Sequence, residues 1–248
     1  MRFIVMHKVD AKMEAGDRPD PQIIQNMGAL VQEGLKSGVF VTGAGLHPSR
    51  KRARLARTEG EWSQTNGPYA GDNELLASFV MVRAKSMADA VAQARGFAEV
   101  SGDTELEVGP VVEAWDLGVI PRPADPPQRF LFLSKGDAAF EQGGGAPAQA
   151  RQSALAELAR ALGPDGAVLA AEVLAPSAKG ARLTQGKESK RNWVDGPFAE
   201  SKELIAGFSI LEVPAIEHAL AWADRYAAIL GGNEVDVREV RSDLTGHF

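Results

Sequence analysis

Two four-residue turns carry the most specific chemistry in the sequence: Asp195-Gly196-Pro197-Phe198 and, 129 residues earlier, Asn66-Gly67-Pro68-Tyr69. An aspartate directly before Gly-Pro can bond nearby backbone amides in a turn. At the mouth of a sheet it can instead act as a general base or orient an imidazole. The candidate imidazole is His47, which ends the second strand of the first half, where the second half has Ala175. His47 and Asp195 are therefore the candidate catalytic pair, although each half holds only one of them. His7, His218 and His247 share no metal-ligand spacing with His47, so no metal is expected. Arg54 and Arg182 stand at matching places in two basic stretches, among Arg50, Lys51, Arg52 and Arg57 in the first and Lys179, Lys187, Lys190 and Arg191 in the second. A guanidinium so placed could clamp a carboxylate or phosphate through two hydrogen bonds, or the charges could simply protect a solvated edge hairpin. Asn66, Tyr69, Phe198, Glu200 and Lys202 complete the candidate substrate-binding set, with Arg54 and Arg182.

Other chemistries are excluded or disfavoured. The chain has no cysteine, which removes thiol nucleophiles, disulfides and thiolate metal sites. Gly143-Gly144-Gly145 lacks the Lys-Ser/Thr and the strand-to-helix context of a phosphate loop, no Gly-x-Gly-x-x-Gly opens a helix after a strand, and there is no Gly-x-Ser-x-Gly elbow. No cofactor is expected. A formal charge of −6 opposes nucleic-acid and anionic-membrane binding, and no apolar run approaches the ~18 residues of a membrane span. The N-terminus runs into an alternating strand without a leader pattern, which makes the cytoplasm the expected compartment.

The elements that must position these residues are written twice. Arg2-Phe3-Ile4-Val5-Met6 matches Arg129-Phe130-Leu131-Phe132-Leu133; Leu46-His47-Pro48-Ser49 matches Leu174-Ala175-Pro176-Ser177; Ala53-Arg54-Leu55 matches Ala181-Arg182-Leu183. The turns and the strands after them, Glu74 to Phe79 and Glu203 to Phe208, continue the match. Each copy reads as a strand (about 2–8; 129–134), an amphipathic helix, a strand (39–46; 167–174), a basic hairpin, a third strand (75–82; 204–213), a second helix and a final strand (105–114; 234–241). Ile23, Ile24, Met27, Leu30, Val31 and Leu35 recur at helical spacing, as do Ala150, Leu155, Leu158, Ala159 and Leu162. Gly38 and Gly163 mark the helix stops. The proline-dense stretch at 121–127 reads as a linker between modules spanning 1–120 and 128–248. The order is that of an α+β, ferredoxin-like module, whose uncovered sheet face the second copy can bury, sheet to sheet, in a closed or nearly closed barrel. The alternative is pairing between chains, so the chain is expected to be a monomeric pseudo-dimer or a homodimer.

Trp193-Val194-Asp195-Gly196-Pro197-Phe198-Ala199-Glu200-Ser201-Lys202-Glu203 resembles the signature of the DGPF-type subgroup of the YCII-related family. The resemblance implies the dimeric α+β barrel fold, a family with largely unassigned activity, a His–Asp pair between the sheets in some members, and an association of some members with extracytoplasmic-function sigma factors. Two readings follow. One is a cofactor-free enzyme using His47, Asp195 and an arginine for acid-base chemistry on a small anionic ligand, which requires a pocket lined by both copies. The other is a non-catalytic interaction or regulatory module with a sigma factor or other protein partner, which requires a filled interior and an exposed apolar patch.

Overall fold

The computed structural model describes residues 1–72, 74–124, 126, 128–143, 145–162, 168–185, 191–198, 204–232 and 234–241. In the first repeat, β1 (Arg2–Lys8), α1 (Ala11–Ala15), α2 (Pro21–Ser37), β2 (Phe40–Leu46), a 3₁₀ turn (Ser49–Lys51), β3 (Ala53–Thr58), β4 (Glu61–Asn66), β5 (Leu76–Arg83), α3 (Met87–Ser101) and β6 (Glu105–Val112) follow one another. The second repeat supplies β7 (Arg129–Lys135), α4 (Ala138–Glu141), α5 (Gly145–Leu162), β8 (Val168–Val173), a 3₁₀ turn (Ser177–Lys179), β9 (Gly180–Gln185), β10 (Arg191–Asp195), β11 (Ile205–Glu212), α6 (Ile216–Leu230) and β12 (Val235–Glu239). Most expected strands form within two residues of the bounds that alternation suggested. Gly163 and part of the 121–127 stretch, Asp125 and Pro127, lie outside the described residues. Among the described residues no helix is long and apolar enough to cross a membrane.

Local chemistry sets the helix ends. The Asp20 carboxylate accepts from the Gln22 amide at the start of α2, Pro21 occupies the first turn, and Gly38 ends the helix at φ 73° while its N–H reaches the Gly34 and Leu35 carbonyls. Ser86 caps α3 in the same way through the Asp89 amide.

The protein is α+β with an extensive antiparallel sheet, but the sheets do not follow the repeats. β1 is flanked by β11 and β12, both from the second repeat, and β11 continues to β2. The mirror arrangement places β7 between β5 and β6 of the first repeat, with β8 beyond β5. Each four-strand set thus runs in the order 4-1-3-2, with strands 1 and 2 from one repeat and strands 3 and 4 from the other. This departs from two self-contained modules stacked face to face. The physical reason is that the two copies present nearly the same alternating edge, so either can complete the other's ladder. Gly45↔Val112 and Leu46↔Val111 join β2 to β6, and the equivalent Leu174↔Val240 bridge joins the ends of β8 and β12. Neighbours therefore run round a ring of eight strands, from which the β3–β4 and β9–β10 hairpins project.

Side chains alternate across that ring. Ile4, Met6, Leu46, Phe79, Met81, Leu131, Leu133, Phe208 and Ile210 point inward and form one buried cluster. The Phe79 and Phe208 rings, equivalent residues of the two repeats, meet there at 4.5 Å. On the outer face Phe3, Val5, Leu211 and Val237 pack under α2 and α6, while Val80, Val82, Phe130, Phe132 and Val173 pack under α3 and α5.

Two buried arginines tie the exchange together. Arg52 donates to the Ile205 carbonyl of the other repeat at 2.9 Å and through Nε to the His47 carbonyl. Arg238 donates to the Leu76 carbonyl of the other repeat at 2.7 Å and to the Ala175 carbonyl. Ile205 and Leu76 are equivalent residues, as are His47 and Ala175, so the two guanidiniums do the same work from different strands. Room is made by glycine each time: a Cβ at Gly109, the counterpart of Arg238, would lie 3.3 Å from the Arg52 chain, and one at Gly180, the counterpart of Arg52, 3.0 Å from that of Arg238.

The exchange is testable because the chain lacks cysteine. Arg2 faces Glu212 across β1 and β11, and paired antiparallel residues have Cα atoms about 4.5–5.5 Å apart, within disulfide reach. Arg2→Cys/Glu212→Cys is expected to cross-link within one chain on oxidation, seen as faster migration on a non-reducing gel, whereas Arg2→Cys/Arg83→Cys is not. The reverse pattern would return β1 to its own repeat.

Candidate functional site

The Gly-Pro turns pack alike in the two halves. The Tyr69 amide donates to Ser49 Oγ at 3.2 Å and the Phe198 amide to Ser177 Oγ at 2.9 Å. Both Gly-Pro bonds are cis. A Cβ at Gly67 would fall 1.8 Å from the Ser49 carbonyl oxygen, and one at Gly196 1.9 Å from that of Ser177, so only glycine fits either turn. The serines are held by carboxylates from the first helical turns: Ser49 N donates to Glu14 Oε2 at 3.1 Å, and Ser177 N to Glu141 Oε2 at 2.8 Å. The aromatic residue that ends each turn lies under an arginine, with Arg54 Cζ 4.4 Å from the Tyr69 ring centroid and Arg182 Cζ 4.4 Å from that of Phe198.

Both guanidiniums already meet carboxylates. Arg54 Nη2 donates to Glu74 at 2.8 Å, and Glu107 lies 3.7 Å away. Arg182 binds Asp236 through Nε at 2.6 Å and Nη2 at 2.9 Å. Lys8 of the first repeat also meets Asp236, at 3.0 Å, and its counterpart Lys135 meets Glu74. Burial acts to raise the Asp236 carboxyl, but Lys8 and Arg182 outweigh it and hold the group below its ordinary range. Asp195 and Asn66 end β10 and β4 on the exposed rims of the hairpins. Glu200, Lys202, Lys187 and Lys190 lie outside the described residues.

The carboxylate beside His47 is Asp116, on the loop after β6: Nε2 lies 3.2 Å from Asp116 Oδ2, and Lys51 Nζ lies 3.3 Å from Nδ1. These groups line a surface pocket of about 230 Å³ with Glu113 and Arg129. Burial and Lys51 lower the imidazole's pKa, with Asp116 acting the other way. Asp195 does not line this pocket.

A larger cavity, about 410 Å³, lies between α2 and the outer face of β1, β2 and β11. Ile23, Ile24, Met27 and Val31 of α2 form its roof and Phe40, Val112 and Leu230 part of its walls. His7, Ser209, Tyr226 and Arg52 bring polar groups to this apolar lining. The Tyr226 hydroxyl and His7 Nδ1 are 2.5 Å apart, and both residues are buried. Burial pushes the His7 imidazole down to about 4, so it is neutral at pH 7, and burial likewise raises the Tyr226 phenol. Arg52 brings no net charge, because its Nη1 donates to Glu107 at 2.7 Å.

The duplication shows what opens the cavity. On the outer face, Gly43, Gly45, His7, Ser209 and Tyr226 correspond to Ala171, Val173, Ser134, Val80 and Phe97. In the other half Ala171, Val173, Val80 and Phe97 are buried in the packed cluster under α3 and α5. Two glycines on one face of a strand, against Ala and Val in the copy, are the sequence signal that could have located this site. Among the described residues, no group of three or more His, Asp or Glu is placed to hold a metal ion.

The fold and site define a duplicated α+β protein whose two halves share a scaffold and differ in the cavity beneath α2. The chain belongs to the YCII-related domain family, whose model matches residues 1–113 and again 129–241. No curated protein and no solved structure matches it.

Two measurements check the site's electrostatics. His7 has a folded pKa below its unfolded value, so the unfolded chain binds more protons between about 6.5 and 4. Stability from this group is fully present above pH 6.5 and is lost as pH falls through that window, by roughly 3 kcal/mol in all. In His7→Gln the dependence of the urea midpoint on pH between 6.5 and 4 is expected to flatten. Asp236→Asn, which strips Lys8 and Arg182 of their shared carboxylate, is expected to cost about 3–5 kcal/mol by the same denaturation.

Proposed function

We propose that the protein binds one small, uncharged, largely apolar molecule per chain in the cavity beneath α2, with the His7–Tyr226 pair as its hydrogen-bonding anchor. The chain is then the single-polypeptide counterpart of a dimeric α+β barrel in which one half has opened, beneath its helices, a layer that the other keeps filled. The observation that carries this reading is the asymmetry of the two halves: glycines at 43 and 45 leave open the layer that Ala171 and Val173 fill in the copy. A cavity of about 410 Å³ is of the size that holds small ligands.

The lining argues for a neutral ligand. Arg52 is compensated by Glu107 and His7 is uncharged, and an ion transferred into an apolar, uncompensated site would lose its hydration with nothing to replace it. The carboxylates on Arg54 and Arg182 occupy the guanidiniums that an anion would need there. The same lining favours binding over turnover. An imidazole with a pKa near 4 is a weak base at neutral pH, and a phenol raised by burial is a weak acid, whereas efficient acid-base groups titrate near the working pH.

Titration with 2-naphthol, an apolar ring with one hydroxyl, tests the reading by calorimetry. Saturation at one molecule per chain is expected, with Tyr226→Phe weakening it about tenfold through loss of one buried hydrogen bond. Gly45→Val, which installs the side chain of Val173 where a Cβ meets only ordinary contacts at 3.5 Å, is expected to abolish it. Unchanged binding by Gly45→Val would end the proposal.

A further inference from the structure

A further concavity, about 650 Å³, lies between the 3₁₀ turn of the first repeat, the β4 strand and the first turns of α3. Its lining combines Arg50, Lys51 and Arg95 with the amides of Gln64 and Asn66, over an apolar floor that includes Met87 and Val91. Arg52 also lines it, but is neutralised by Glu107. Among the described residues, no carboxylate lines the groove. Among the described residues, none of Arg50, Lys51 and Arg95 lies within salt-bridge distance of an acid. Arg50 spends one arm on the Glu14 and Ala15 carbonyls at 3.0 and 2.9 Å, and Lys51 reaches the His47 ring nitrogen Nδ1 at 3.3 Å. Uncompensated like charges gathered in a concave site, on a chain of net charge −6, repel one another until an anion enters.

The hydrogen bonds inside the groove run in one direction. Arg95 Nη2 donates to Gln64 Oε1 at 3.5 Å, and Gln64 Nε2 donates to Asn66 Oδ1 at 2.8 Å. Both amide oxygens are thereby used by neighbours, and the groups left over are donors: the Asn66 amide N–H groups and Arg95 Nε, which is buried and has no partner among the described residues. A wall of donors calls for an acceptor.

The repeat again supplies the control. At the matching positions the second half carries Ala178 for Arg50, Trp193 for Gln64, Asp195 for Asn66, Glu217 for Ala88 and Asp224 for Arg95. Trp193 Nε1 donates to Asp224 at 3.3 Å there, so the same surface presents acids and a bulky indole in place of a cationic groove. The exchange of aspartate for asparagine between the two turns is thus one of several changes that remove negative charge from this one place.

We propose that this groove binds a small organic anion, a phosphate or carboxylate on an apolar body, with Arg95, Arg50 and the Asn66 amide taking the headgroup and Met87 and Val91 the body. The site is separate from the cavity beneath α2 and does not depend on it. Calorimetric titration with hexyl phosphate and with hexanoate tests it and shows which headgroup is preferred. Saturable binding of at least one of them is expected, weakened about tenfold by Arg95→Ala, which removes a charge-assisted donor, and by Asn66→Asp, which restores the acid of the other copy. Tyr226→Phe should leave this binding unchanged, which separates the groove from the cavity. The proposal is overturned if neither anion gives saturable binding, or if Arg95→Ala binds as tightly as the parent chain.

Discussion

β1 finds both of its hydrogen-bonded neighbours in the other repeat, and β7 does the same in return, so neither half of the chain can complete a sheet without the other. The buried guanidiniums of Arg52 and Arg238 reinforce that dependence, because each ends on a backbone carbonyl of the opposite repeat. Such carbonyls would otherwise be desolvated acceptors, and losing the donor would leave a buried group unsatisfied at about 1–3 kcal/mol. That the two donors come from different strands, with glycine at each vacated position, means the duplicated scaffold has preserved the interaction rather than the residue. Alignment of the repeats hides this, since Arg52 aligns with Gly180 and Arg238 with Gly109.

Much of the scaffold was legible in the sequence because its determinants are local. The alternation of Arg2-Phe3-Ile4-Val5-Met6 fixes which side chains face the ring interior, and Gly38 ends α2 by capping chemistry that needs no tertiary partner. The Gly-Pro turns were visible as a motif, but their packing was not. The requirement for glycine comes from the carbonyl of Ser49 or Ser177, and the following aromatic is set by an arginine on a neighbouring strand. Asp116 could not be matched to His47 by pattern, because a loop after β6 brings them together across 69 residues. The sheet composition was illegible for a deeper reason: two copies with the same strand pattern offer two equivalent ladders, and alternation cannot say which strand takes which partner.

The cavity was hidden by the same exchange. His7 and Tyr226 are 219 residues apart and meet only because β1 and α6, from different repeats, share one sheet and its helical cover. Read within a single repeat, His7 is merely the end of a strand and Tyr226 one more apolar-face residue of α6. Read across the exchange, they are the polar pair on the wall of an otherwise apolar space.

Duplication explains how such a space can be tolerated. Glycines at 43 and 45 forgo the dispersion contacts and burial that a side chain would supply, and cores that lose even a few methylene groups destabilise measurably. In a symmetric dimer of one repeat that loss would be incurred twice, once per half, and each half would also carry any charge placed for a ligand. Within one chain the halves are free to diverge. The cluster under α3 and α5 keeps Val80, Phe97, Ala171 and Val173 in close packing, while the half under α2 and α6 gives up that packing for volume. The charge pattern diverges likewise, with Arg50, Gln64, Asn66 and Arg95 on one surface and Ala178, Trp193, Asp195 and Asp224 on its equivalent. Because the strands are exchanged, the stability of the packed half is shared with the open one through β1, β2, β5 and β6. A domain that folded alone would have to support its own cavity; here the strands exchanged between the repeats let one half's packing hold the other half open.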